Sequence, residues 1–265
     1  MRGSRINFFI VNSKVSICFS LGLGYCPLKP KSDNNITIYD LAFTREDILL
    51  EYLGKVPVRK LTISSDISPA TLETVLKVAA SRLKHLELIV FSDKNAYNLF
   101  CVLEKCQIYL KSFSLALLGN VIETVRSIFN FGIFNKLHEL CISFPINDQW
   151  ESVESLRILE KMPFLKTLKI KLDDENCFAI LSEILSSNVF ALQLKCLHVH
   201  SYCWNEPLPF LTDPILIENR GKFRLKKLVI WGDEISKETL QFILSMLTGR
   251  HLHTLFIQSL EFPSW

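Results

Sequence analysis

Apolar residues recur at positions 1, 4 and 6 of a six-residue segment that appears eight times in this chain. The segments are VRKLTI at 58–63, LKHLEL at 83–88, LKSFSL at 110–115, LHELCI at 137–142, LKTLKI at 165–170, LKCLHV at 194–199, LKKLVI at 225–230 and LHTLFI at 252–257. Their starts lie 25, 27, 27, 28, 29, 31 and 27 residues apart. A leucine-rich chain produces one such hexamer by chance, but rarely eight in phase, so the spacing carries more weight than the motif. A ninth, weaker strand is expected at 36–39. Between hexamers the apolar period changes from 2 to 3.6, the change expected when an amphipathic helix follows a strand. Leu72, Val75, Leu76 and Ala79 form one helical stripe; Ala96, Leu99, Phe100 and Leu103 form a second; Ile122, Val125, Ile128 and Phe129 form a third; and Leu240, Ile243, Leu244 and Leu247 form a later one. Ser68 before Pro69, and Ser236 with Glu238, mark helix starts.

One strand and one helix cannot bury their apolar faces alone, so successive units must stack into a continuous core. Stacking makes the strands parallel. Helices are bulkier than strands, so the expected fold is an α/β solenoid, a curved horseshoe with parallel strands on the concave face and helices on the convex face. Residues 32–265 form this domain, with about eight to nine repeats, and residues 1–31 read as a degenerate repeat or cap. Arg2 and Arg5 precede apolar runs at 6–11 and 15–26, as in a signal peptide. Asn12, Ser13 and Lys14 interrupt those runs, and no small-x-small cleavage site is evident. The apolar stretch also falls short of the roughly 20 residues that span a bilayer, so no membrane association is expected.

The in-phase hexamers and their period resemble leucine-rich repeats over roughly residues 33 to 265, especially the long helical type found in ribonuclease inhibitor and in the substrate-recognition regions of F-box proteins. The family's usual turn asparagine is absent: its positions read Asp66, Phe91, Leu118, Pro145, Asp173, Tyr202, Asp233 and Leu260. The chain therefore resembles a divergent member with irregular turns. The resemblance implies a non-catalytic, intracellular scaffold (cytoplasmic or nuclear) that binds a protein. One role it implies is substrate recognition in ubiquitin ligation with a Skp-type adaptor and a cullin; the alternative is a ribonuclease-inhibitor-like or immune-receptor-like regulator. An F-box is not evident before Thr37: the chain either lacks one or represents only the recognition half.

Strand alternation sends positions 4 and 6 into the core and positions 3, 5 and 7 onto the open sheet face. In the C-terminal half that face combines Lys169, Lys171, His198, His200 and Lys227 with Trp231 and Phe256. Aromatic residues beside cations are enriched in interface hot spots, so these seven residues are the expected partner-binding set. A C-terminal cap would also use Trp231 and Phe256. Position 2 is Arg, Lys or His in every repeat, which fits either a basic ladder for an acidic partner or long side chains reaching water at the strand entry. Cys196, His198 and His200 share one strand face, but a metal would need a fourth ligand, and none is expected. The stretch 201–223, with Trp204, Pro207, Pro209 and Pro214, is the least repeat-like and reads as a projecting loop or a drifted helix.

Composition narrows the classes further. A hydrophobic fraction of 49% with 22% charged residues belongs to a folded chain. A net charge of +3 gives no electrostatic footprint for specific nucleic-acid binding. The eight cysteines include no CxxC pair and read as reduced thiols. There is no glycine-rich phosphate loop, GxSxG elbow or HExxH helix, so neither catalysis nor a cofactor is expected.

Overall fold

The computed structural model describes residues 5–11, 14–20, 35–38, 50, 53–54, 57–63, 68–90, 101–106, 108–117, 132–144, 158–172, 184–201, 203–204, 222–235, 237, 240–241, 244 and 251–261. The chain divides into two compact units, residues 1–118 with 131–134 and residues 119–130 with 135–265.

In the first unit β1 (Arg5–Val11) and β2 (Lys14–Ser20) form an antiparallel hairpin. Beside β2 run β3 (Asn35–Ile38), β4 (Lys60–Ile63), β5 (His85–Val90) and β6 (Ser112–Leu117), all parallel. The ninth strand expected from the sequence is β3. Helix α1 (Pro69–Ala79) starts where the Ser68–Pro69 signal places it: the Ser68 hydroxyl accepts from the Thr71 amide at 3.1 Å, and proline occupies the first turn, where its missing N–H costs nothing. Its buried residues are Leu72, Val75, Leu76 and Ala79, the expected stripe. On its outer side Glu73 pairs with Lys77 at 2.6 Å and with Lys105 at 2.8 Å. Hydrogen bonds from Lys105 and Lys77 hold the Glu73 carboxyl down at about 2. Residues 101–105 are helical, and Leu103, the last residue of the second stripe, is fully buried. The rest of that stripe and all of the third lie outside the described residues.

The second unit contains β7 (Glu139–Phe144), β8 (Thr167–Leu172), β9 (Cys196–Ser201), β10 (Cys203–Trp204), β11 (Lys227–Ile235) and β12 (Thr254–Glu261), with every pairing parallel. β9 and β10 share one edge of β11, and β12 lies along the other. A 3-10 turn (Ile158–Lys161) and the short helix α2 (Asn188–Gln193) cover the core face. Residues 184–186 are helical, but Ser187 is extended, at φ −74° and ψ 119°, and its hydroxyl caps α2 by accepting from the Phe190 amide. The polar run Ser186, Ser187, Asn188 thus divides the helical side of this repeat. Between repeats, the Gln193 side-chain amide donates to the Met162 carbonyl, and the Arg224 amide donates to the Ala191 carbonyl at 2.9 Å.

Eight strands, β4 to β9 with β11 and β12, each begin at hexamer position 3. Just before six of these starts, those of β5, β6, β8, β9, β11 and β12, one backbone arrangement recurs. The position-2 carbonyl of one repeat accepts from the amides of positions 2 and 3 of the next. Arg59 O thus takes Lys84 N and His85 N, Lys166 O takes Lys195 N and Cys196 N, and Lys195 O takes Lys226 N and Lys227 N, at 2.8 to 3.1 Å. Both lone pairs of that oxygen are used, which fixes the register of each strand on the one before.

Burial follows the hexamer through seven repeats. Leu61, Leu86, Phe113, Leu140, Leu168, Leu197 and Leu228 at position 4 are at most 2% exposed. The eighth departs from the pattern, because Leu255 at the same position is 39% exposed and Leu252 and Ile257 are half-buried. A position-4 side chain is enclosed by its own repeat and by both neighbours, and among the described residues β12 pairs only with β11. Leu244, placed on a buried stripe by the sequence, is likewise 41% exposed. Two of the expected turn positions, Asp233 and Leu260, lie inside β11 and β12, which run two to three residues longer than the six-residue strands before them. The other six lie outside the described residues, as do 205–221 of the irregular stretch. Among the described residues no helix is long and apolar enough to cross a membrane.

Candidate functional site

The face of β7 to β12 turned away from the core is laid out by register. One row runs Glu139, Thr167, Cys196, Lys227, Thr254; the next runs Cys141, Lys169, His198, Val229, Phe256; the third runs Ser143, Lys171, His200, Trp231, Gln258. Neighbours in a row sit about 4.8 Å apart, the strand spacing. All seven sequence-predicted residues fall in these rows. Exposure rises toward β12: Lys169, Lys171, His198 and His200 are half-buried, Lys227 is exposed, Trp231 is 41% exposed and Phe256 is 49% exposed.

Register brings two pairs together. His200 and Trp231, both at position 7, place their ring centroids 3.9 Å apart with the planes inclined by 37°. This tilted contact holds the indole against the imidazole. Lys169 Nζ meets Glu139 Oε1 at 2.5 Å, a diagonal contact between position 5 and position 3 of the preceding repeat. The single residues were visible in the sequence; the pairings become visible only once the register is known.

His198 lies between Lys169 and Val229 in its row. Burial, and then the nearby Lys169 and Lys227 ammonium groups, push its imidazole below the ordinary value against the opposing charge of Glu139. Burial also pulls on Lys169, but the hydrogen bond and charge of Glu139 outweigh it, and that ammonium is shifted upward. Burial raises the Cys196 thiol against the pull of Lys227 and Lys169. This thiol is held protonated at neutral pH and lacks the character of an activated nucleophile. Among the described residues no three His, Cys, Asp or Glu side chains gather as a metal site requires. Cys196, His198 and His200 lie along one strand at alternate positions, about 7 Å apart at successive Cα atoms.

The first unit's face differs in character. Glu87 pairs with Lys60 at 3.2 Å and accepts from Thr62 Oγ1 at 3.1 Å, and Thr62, expected on the open surface, is only 9% exposed. There the charges are satisfied within the sheet, whereas the second unit presents lysines and aromatic rings.

No protein-family model and no curated protein matches this chain.

Proposed function

We propose that this chain is a non-catalytic protein-binding scaffold of the leucine-rich-repeat kind, a curved solenoid whose concave strand face receives a partner. The eight in-phase strand starts, and the latch repeated at six of them, support the repeat reading. The observation that carries the binding reading is the close, tilted Trp231–His200 pair, set beside Lys171 in its row and near an exposed Phe256. An exposed indole held by a neighbouring ring buries much apolar area on contact at little entropic cost. The lysines around it, Lys169, Lys171 and Lys227, supply a polar rim.

The resemblance to F-box substrate-recognition regions supports a role as an intracellular recognition module in ubiquitin ligation, working with a Skp-type adaptor and a cullin. Affinity purification with the full chain, run in parallel with Trp231→Ala, tests both levels. A partner retained by the wild type and lost by the variant supports the face. Co-recovery of a Skp-type adaptor and a cullin supports the ligase role; a stable complex without either replaces it with a regulatory role of the ribonuclease-inhibitor type.

A further inference from the structure

The edge at which the strands of the second unit begin carries a second charged surface. Position 2 there is His138, Lys166, Lys195, Lys226 and His253, carried in line by the carbonyl latch. All are exposed except Lys195, which is half-buried, and the exposed Arg224 lies close to it. The latch is made by backbone atoms alone, so any residue that keeps its amide N–H satisfies it, and it does not require basic side chains. They are also not neutralised. Lys60, Lys77, Lys105 and Lys169 are ion-paired, whereas among the described residues Lys166, Lys195, Lys226 and Arg224 take part in no ion pair. On the open faces the same chain sets Glu87 against Lys60 and Glu139 against Lys169; along this edge it sets cation next to cation.

Like charges carried on adjacent strand starts repel one another. Lys195 registers that repulsion. Burial first, then Arg224, Lys226 and Lys166, hold its ammonium below the ordinary lysine value. An anionic occupant would relieve the repulsion along the whole line.

We propose that this ladder docks an acidic segment of a partner protein, laid across the strand starts with its carboxylates facing Lys166, Lys195, Lys226 and Arg224. The ladder is one residue wide on a chain of net charge +3, which suits a single extended peptide better than the broad basic field a nucleic acid requires. A single-strand site would also offer successive rings for the bases. Among the described residues Phe164 is an exposed ring beside this ladder, and its centroid lies 6.0 Å from that of His138 at 17°, so one of its faces is already taken by the imidazole. This surface is separate from the open face and does not depend on that reading.

Fluorescence anisotropy of the full chain with a labelled glutamate-rich peptide, and with a labelled oligothymidylate of matched charge, tests the proposal. The peptide should bind, more weakly as salt rises. Lys166→Gln, Lys195→Gln and Lys226→Gln combined should weaken it about tenfold, as expected for the loss of three exposed charge contacts. Lys77→Gln, Lys105→Gln and Lys237→Gln combined, exposed cations off the ladder, should leave it unchanged. Circular dichroism checks folding of each variant, and single Lys166→Gln and Lys226→Gln changes should weaken binding in the same direction. Absence of peptide binding, equal loss in both triple variants, or oligothymidylate binding at least as tightly through the same lysines overturns the proposal.

Discussion

The Ser187 hydroxyl donates to Glu160 Oε1 at 2.6 Å while accepting from the Phe190 amide at 3.1 Å. One buried oxygen therefore caps α2 and joins it to the 3-10 turn of the preceding repeat. Ser187→Ala removes the cap and leaves a part-buried carboxylate without its donor. The expected loss is about 1 to 2 kcal/mol in urea unfolding. Ser187→Thr, which keeps the hydroxyl, should retain most of the stability; equal losses in the two variants would show that the hydroxyl is not what matters.

Leu168 and Leu255 hold the same hexamer position but not the same environment. Leu168 is fully buried, so Leu168→Ala should cost about 2 to 5 kcal/mol. Leu168→Asp, which places an unpaired charge in the core, should abolish folding. Leu255 is 39% exposed, and Leu255→Ala should cost less than about 1 kcal/mol. Thermal melts of the three variants check the order, and a Leu255→Ala loss matching that of Leu168→Ala would contradict the open β12 described above.

Much of this was legible in the sequence. The hexamer located eight strands, and the Ser68–Pro69 pair and its stripe located α1, because both depend on local periodicity and capping. The buried Thr62, the divided helix at Ser187 and the exposure of Leu255 were not legible, since each depends on what a neighbouring repeat supplies. The binding-face residues were named from alternation alone. Their grouping into Trp231–His200 and Lys169–Glu139 needed the register, and the register is set by backbone latches that leave no mark on residue type.

Trp231→Ala should leave the melting temperature close to that of the wild type, because the indole is 41% exposed and lies outside the core. Loss of a hot-spot aromatic typically weakens binding by about 2 kcal/mol or more, roughly thirtyfold in Kd. Isothermal titration with the purified partner measures it. Unaltered affinity would remove this face from consideration.

His198 predicts a pH dependence. Its folded value lies below the ordinary 6.5, through burial and then the Lys169 and Lys227 charges. Between 6.5 and that lower value the unfolded chain takes up a proton that the folded chain refuses, so stability is full above the unfolded value and is lost as pH falls through the window. His198→Gln should flatten this slope in urea midpoints measured from pH 8 down to pH 5. A slope unchanged by the substitution assigns the effect to another group.

The carbonyl latch at position 2 has a consequence for how such a chain can change. Six repeats hand the next the same pair of backbone bonds at the same place, so the joint is the same wherever it occurs. A repeat duplicated or deleted whole would meet its new neighbour through the joint it already has. The length of the array and the chemistry displayed along it are then separate quantities, one counted in whole repeats and the other written in side chains that the joint never touches.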